Sequence, residues 1–115
     1  MNYNFTLPLP PTKNQIHEVS GSRIYLSQKA RDWYKEAGMM VLSQCKGSRK
    51  PLKGDTYVGV HYLLSRDRDL DSGELLFDLL EKMQIVEDDR QITFMNVGKS
   101  EEKREPRVEI EVRKL

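Results

Sequence analysis

Alternating apolar and polar side chains mark Tyr3 to Leu9 as a strand, closed by Pro8, Pro10 and Pro11. A loop is expected from there to about Leu26. Ser27 then caps a helix whose apolar positions, Ala30, Trp33, Tyr34, Ala37, Met40 and Val41, recur at the three- and four-residue spacing of one buried face, with an end near Lys46 and Gly47. The stretch Lys46 to Gly54 mixes Gly, Pro and Ser with four cations and reads as a connector. A second strand follows from Thr56 to Leu64, with Val58, Val60, Tyr62 and Leu64 on one face. The polar break SRDRD feeds a helix from about Asp71 to Met83, capped by Asp71 or Ser72 and striped with Leu75, Leu76, Leu79, Leu80 and Met83. After the acidic turn Glu87, Asp88 and Asp89, a third strand is predicted from Gln91 to Val97. GKSEEKREP then forms a charged hairpin loop before a last strand, Arg107 to Arg113, with Val108, Ile110 and Val112 inward. The order strand, helix, strand, helix, strand, strand predicts an α+β fold, a small mixed β-sheet covered by two helices. No internal repeat interrupts it, and residues 1–115 read as one domain.

Composition narrows the class. At 115 residues, 37% hydrophobic, 32% charged and a mean hydropathy of -0.68, the chain supports one modest core and escapes a disordered reading. No run approaches the length of a membrane span and the N-terminus lacks a leader pattern, so a cytoplasmic location without membrane contact is expected. A lone Cys45 excludes a disulfide framework and a Cys-rich zinc site, and the separated His17 and His61 make a poor His site. Any bound metal must therefore be held by oxygen.

The net charge of +1 conceals a division. Residues 1–54 hold nine Lys and Arg against three Asp and Glu, whereas residues 55–115 hold ten against fifteen. A basic half beside an acidic half suits a protein that attracts a polyanion with one surface and holds cations with another, although two solvated faces account for it equally.

Asp69 and Asp71 carry the most information. In extended backbone, positions two apart point to one side, so both carboxylates can address one ion while Leu70 turns inward. Asp88 or Asp89, returning along the intervening helix, can add a third, and a hard cation such as Mg²⁺ accepts few carboxylates and keeps waters. The alternative is local: Asp71 caps the helix and Asp69 pairs with Arg66 or Arg68. Arg66, Arg68 and Arg90 flank the acidic positions and either hold phosphates or pair locally. Lys46, Arg49, Lys50 and Lys53 form a candidate loop for the DNA backbone, against the plain reading of a solvated loop. Trp33 and Tyr34 fit packing roles, His61 a structural one, and Cys45 that of a small apolar group without an activating His.

In their order, LPLPPTKNQ, RIYLSQKARDWYKEAG, RDLDS and FDLLEKMQIVEDDRQI resemble the RusA family of Holliday junction resolvases of bacteria and their phages. The resemblance covers most of the chain. It implies a homodimer that binds four-way DNA junctions and cuts two strands symmetrically, in recombination and repair, with Mg²⁺ or Mn²⁺. Carried over, the catalytic metal carboxylates are Asp69, Asp71 and Asp89. Where the family has Asn after the second Asp, this chain has Ser72, and where a Lys follows, it offers Gly73, Glu74 and Leu75. These departures predict a slow metal-dependent endodeoxyribonuclease; cutting as fast as a Lys-containing relative would instead require another cation, Arg68 or Lys82, in that role. The alternatives are a junction-binding module with weak or lost catalysis and a nuclease for other branched phage DNA.

Overall fold

The computed structural model describes residues 2–45, 50–69 and 73–115. Its elements are β1 (Asn2–Leu7), a hairpin of β2 (His17–Ser20) and β3 (Arg23–Leu26), α1 (Gln28–Gln44), β4 (Thr56–Leu64), α2 (Glu74–Lys82), β5 (Ile92–Glu101) and β6 (Arg107–Lys114). The main sheet runs β1-β6-β4-β5, and the hairpin is a separate two-stranded sheet. β6 lies antiparallel to both β1 and β4, with Phe5 opposite Ile110 and Val58 opposite Val112. β4 and β5 are parallel, so a helical crossover, α2, must join them.

Period two decides the sheet's inner face. Phe5 and Leu7, Val58, Val60, Tyr62 and Leu64, and Val108, Ile110 and Val112 are buried together with Trp33, Ala37 and Val41 of α1 and the leucine stripe of α2. Both helices therefore cover one face, as expected. The other face carries Gly59, His61, Asn96, Gly98, Glu109 and Glu111 around an open polar trough. Ser27 caps α1 as its sequence predicts, accepting the Ala30 amide at 3.1 Å while its hydroxyl donates to the Gln15 carbonyl at 2.5 Å. Trp33 is buried but not purely apolar, because its indole N–H donates to the Pro8 carbonyl at 2.8 Å and ties the helix to the end of β1.

Four expectations need correction. Residues 17–26 are not loop but a hairpin, whose side chains are almost wholly exposed and so lack the buried alternation that signals a strand. Its turn signal was nevertheless present: Gly21 adopts φ 62 between Ser20 and Ser22. The segment 98–106 is not a hairpin loop, since β5 continues to Glu101 and β4 lies between β5 and β6. Alternation tells which face a strand buries but not which strand it pairs with. α1 stops at Gln44 with Cys45 at its C-cap, short of Lys46. α2 begins at Glu74 after Gly73, whose left-handed φ of 74 ends any helical path from upstream. The proposed caps Asp71 and Ser72 lie outside the described residues.

The acidic turn is anchored by one carboxamide. Gln91 Oε1 accepts the amides of Glu87 at 2.9 Å and Asp88 at 3.1 Å. Its Nε2 donates to the Leu52 carbonyl at 2.7 Å, Thr56 Oγ1 at 3.0 Å and the Gly54 carbonyl at 3.2 Å. These bonds fasten the turn to the chain entering β4. Replacing Gln91 with Ala leaves several part-buried partners unpaired and is expected to cost about 1–3 kcal/mol. Urea unfolding of the variant against the parent measures it; an unchanged midpoint would remove the latch.

Candidate active site

Asp88 and Asp89 occupy the entry to a single 3-10 turn, Asp89–Gln91, which lies between α2 and β5 and leads directly into β5. Asp88 caps that turn: its carboxylate accepts the Arg90 amide at 2.9 Å and the Arg90 guanidinium at 3.1 Å. Those two donors hold its carboxyl below the usual range. Asp89 is driven the other way. Partial loss of solvation, the charge of Glu81, and the hydrogen bond and charge of Asp88 push its pKa up, with a further contribution from Asp78. Its amide donates to Glu81 Oε1 at 3.0 Å, so the last turn of α2 and the acidic turn are joined through these groups.

Glu81, Asp88 and Asp89 each offer a carboxylate oxygen, and these oxygens all lie within 4.8 Å of one another. An all-oxygen set of this kind suits a hard divalent cation, which would relieve the repulsion from Glu81 and Asp88 that adds to the loss of solvation at Asp89. Neighbouring carboxylates extend the acidic region. Glu74, Asp78 and Asp89 line one cavity of about 230 Å³ together with His17, Leu26 and Tyr34. Glu74, Asp78 and Glu81 sit four and three residues apart, which aligns them along one face of α2.

Asp78 is held rather than free. The Tyr34 hydroxyl donates to its Oδ2 at 2.7 Å, and Lys82 Nζ lies 3.4 Å from the same oxygen and 4.3 Å from the centre of the Tyr34 ring. Burial and the bond to Asp78 push the phenol's pKa up, so it remains a donor at neutral pH. Tyr34 thus adds to its packing role by orienting a carboxylate. Lys82 brings a positive charge beside the acidic row.

The other expected residues are distributed around this centre. Asp69 is exposed on the segment leaving β4, and Asp71 lies outside the described residues. Lys99 grips that segment from β5: Nζ lies 2.8 Å from Asp67 Oδ1 and donates to the Arg68 carbonyl at 2.9 Å. Arg68 turns inward, donating through Nη1 to the Pro10 carbonyl at 3.1 Å, with its guanidinium 5.6 Å from the Tyr62 ring centre. Its Nη2 is buried with no partner among the described residues. Arg66 is exposed, Arg90 is paired with Asp88, and Lys53 lies 3.7 Å from Glu87 Oε1. Lys50 is exposed, with its carbonyl accepting the Tyr3 hydroxyl at 3.1 Å, while Lys46 and Arg49 lie outside the described residues. His61 accepts or donates at Ser100 Oγ, 2.8 Å away on the open sheet face, which fits the structural role expected of it.

Sequence reasoning did not single out Asp78, Glu81 or Lys99. The 74, 78, 81 spacing was a visible signal for the first two. Lys99 had none, because its contact with residues 67 and 68 arises from the parallel pairing of β4 and β5.

The model of the family described as endodeoxyribonuclease RusA matches residues 8–113. No curated protein matches the chain.

Neutralising Asp89 has an unusual expected consequence for stability. With its folded pKa raised, the charged form opposes folding, so Asp89→Asn should raise the melting temperature at pH 7. The gain should vanish as pH falls through the raised pKa and below the ordinary value of 3.8, where the native carboxyl is protonated anyway. Thermal melts of both proteins across that range test the sign.

Proposed function

The chain belongs to the RusA endodeoxyribonuclease family, and from that premise we propose that it resolves four-way DNA junctions by metal-dependent hydrolysis of phosphodiester bonds. The observation that carries the reading is the cluster of carboxylate oxygens at Glu81, Asp88 and Asp89, within the span the family model matches. We assign Asp69, Asp71 and Asp89 as the metal-holding carboxylates, with Glu81 added by the geometry. A bound Mg²⁺ or Mn²⁺ supplies charge neutralisation at the scissile phosphate and a lowered pKa for the attacking water.

The chain's own residues prepare that chemistry. Glu81 and Asp88 keep Asp89 in a field of negative charge that favours a cation over a proton only when the surrounding pH is high enough. Lys99 restrains the segment carrying Asp69 through the Arg68 carbonyl, which limits how far that carboxylate can swing. Lys82 is the cation we assign to the electrostatic role left open by Gly73, Glu74 and Leu75, with Tyr34 and Asp78 fixing its position. Lys46, Arg49, Lys50 and Lys53 are assigned to the DNA backbone, together with Arg66. A homodimer with twofold symmetry gives each junction two copies of the site, which paired cutting requires.

Single-turnover cleavage of a four-way junction tests the site. Asp89→Asn and Asp71→Asn are each expected to lower the rate by about 10²-fold or more while junction binding persists, because charge is lost at nearly constant shape. Parent-like cutting by either variant would remove that residue from the site. Junction binding without cutting by the parent at any Mg²⁺ or Mn²⁺ concentration would favour the binding module instead.

Neutralising Lys46, Arg49, Lys50 and Lys53 together is expected to weaken binding to every DNA form. It should reduce the slope of log affinity against log salt by up to about 3.6, if each meets a duplex phosphate. An unchanged slope would leave the loop solvated.

A further inference from the structure

The β2–β3 hairpin is not accounted for by the core or by the carboxylates. Val19 and Ile24 are each 72% exposed, more than any other large hydrophobic side chain among the described residues. They are not scattered: the register places Val19 directly opposite Ile24 as a cross-strand pair. A two-stranded ribbon is marginal on its own, and this one buries none of its strand residues, so the pair contributes little to holding the fold.

Position gives the pair its meaning. His17 and Leu26, opposite each other at the base of the ribbon, line the cavity that Glu74, Asp78 and Asp89 also line. Side chains two residues apart in a strand share a face, so Val19 and Ile24 lie on the same face of the ribbon as His17 and Leu26. Two residues of rise set them about 7 Å farther out along the ribbon. An apolar tip thus extends from the wall of the acidic cavity. The chain on either side of the ribbon is cationic: Lys13, Arg23, Lys29 and Arg31 are exposed between residues 13 and 32, against Glu18 and Asp32. Charge of that sign draws a polyanion to the ribbon and disfavours a basic protein partner; DNA is the polyanion on which the proposed nuclease acts.

We propose that Val19 and Ile24 form a wedge that enters the branch point of the DNA and unstacks the base pair there, while the flanking cations hold the phosphates. This rests on the reading of the chain as a nuclease for branched DNA and adds what would select the branch. A continuous duplex must pay for unstacking before apolar side chains can enter, whereas a branch point already has interrupted stacking, so the wedge favours branched over linear DNA. The carboxylates at the ribbon's base would then meet a phosphate close to the branch.

The experiment uses a four-way junction with 2-aminopurine at the branch and a linear duplex of the same sequence, without divalent metal. The parent is expected to raise the 2-aminopurine fluorescence on the junction and not on the duplex. Val19→Thr with Ile24→Thr keeps side chains that suit a strand but makes the tip polar. That variant is expected to lose the fluorescence rise and about tenfold or more of the junction preference, with duplex affinity unchanged. Val19→Leu with Ile24→Leu, which stays apolar, is expected to retain both. The wedge is overturned if the threonine variant keeps the signal and the preference, or if it turns a dimer into a monomer in light scattering, which would make the pair a contact between copies. A parent that prefers the junction but gives no fluorescence rise overturns the wedge alone. A parent with no junction preference overturns the branched-DNA reading and the wedge together.

Discussion

The parallel pairing of β4 with β5 is the constraint from which the site follows. Parallel neighbours cannot be joined by a tight turn, so the chain must leave the end of β4, cross the sheet as α2 and return to the start of β5. The leucine stripe of α2 fixes which face of the helix meets the sheet, and its carboxylates are thereby left on the side that opens to the cavity. Glu81 then stands beside the turn that leads into β5, accepting the Asp89 amide, while the Gln91 latch holds the amides of Glu87 and Asp88. The acidic cluster is a product of the crossover.

That arrangement concentrates like charge, and the protein divides the cost unevenly. Arg90 satisfies Asp88 with a backbone amide and a guanidinium, whereas Asp89 receives no such relief and its pKa rises. Two adjacent carboxyls of the same residue type are thus pushed in opposite directions by their surroundings. One becomes a structural cap and the other a group poised to gain from a cation. Tyr34 and Lys82 treat Asp78 similarly, fixing it with a hydroxyl donor and an ammonium so that it adds field to the cavity wall without swinging across it.

Seen from the cavity, the two halves of the charge division acquire places. The carboxylates of the second half line α2 and the acidic turn, and the exposed cations of residues 13–31 surround the hairpin that shares the cavity wall. The net charge of +1 conceals this, because it sums over surfaces that act separately.

Local patterning was sufficient wherever one physical effect dominated. The limits of β4, the inward faces of β4 and β6, the Ser27 cap and the leucine stripe of α2 all stand as the sequence predicts, since each depends on a period or a cap contained within a few residues. Of the two acidic segments, EDD supplies Asp88 and Asp89, which the fold brings beside Glu81, whereas RDLDS lies partly outside the described residues. The neighbours of each strand were not legible, and neither was the company of each carboxylate. Period two assigns a face but not a partner, so the placement of β4 between β5 and β6 emerged only when the core was packed. The hairpin escaped detection because its apolar pair faces outward, where alternation no longer reports burial. Asp78, Glu81 and Lys99 acquire their positions from the crossover and from strand pairing, interactions between segments that sequence spacing alone does not order.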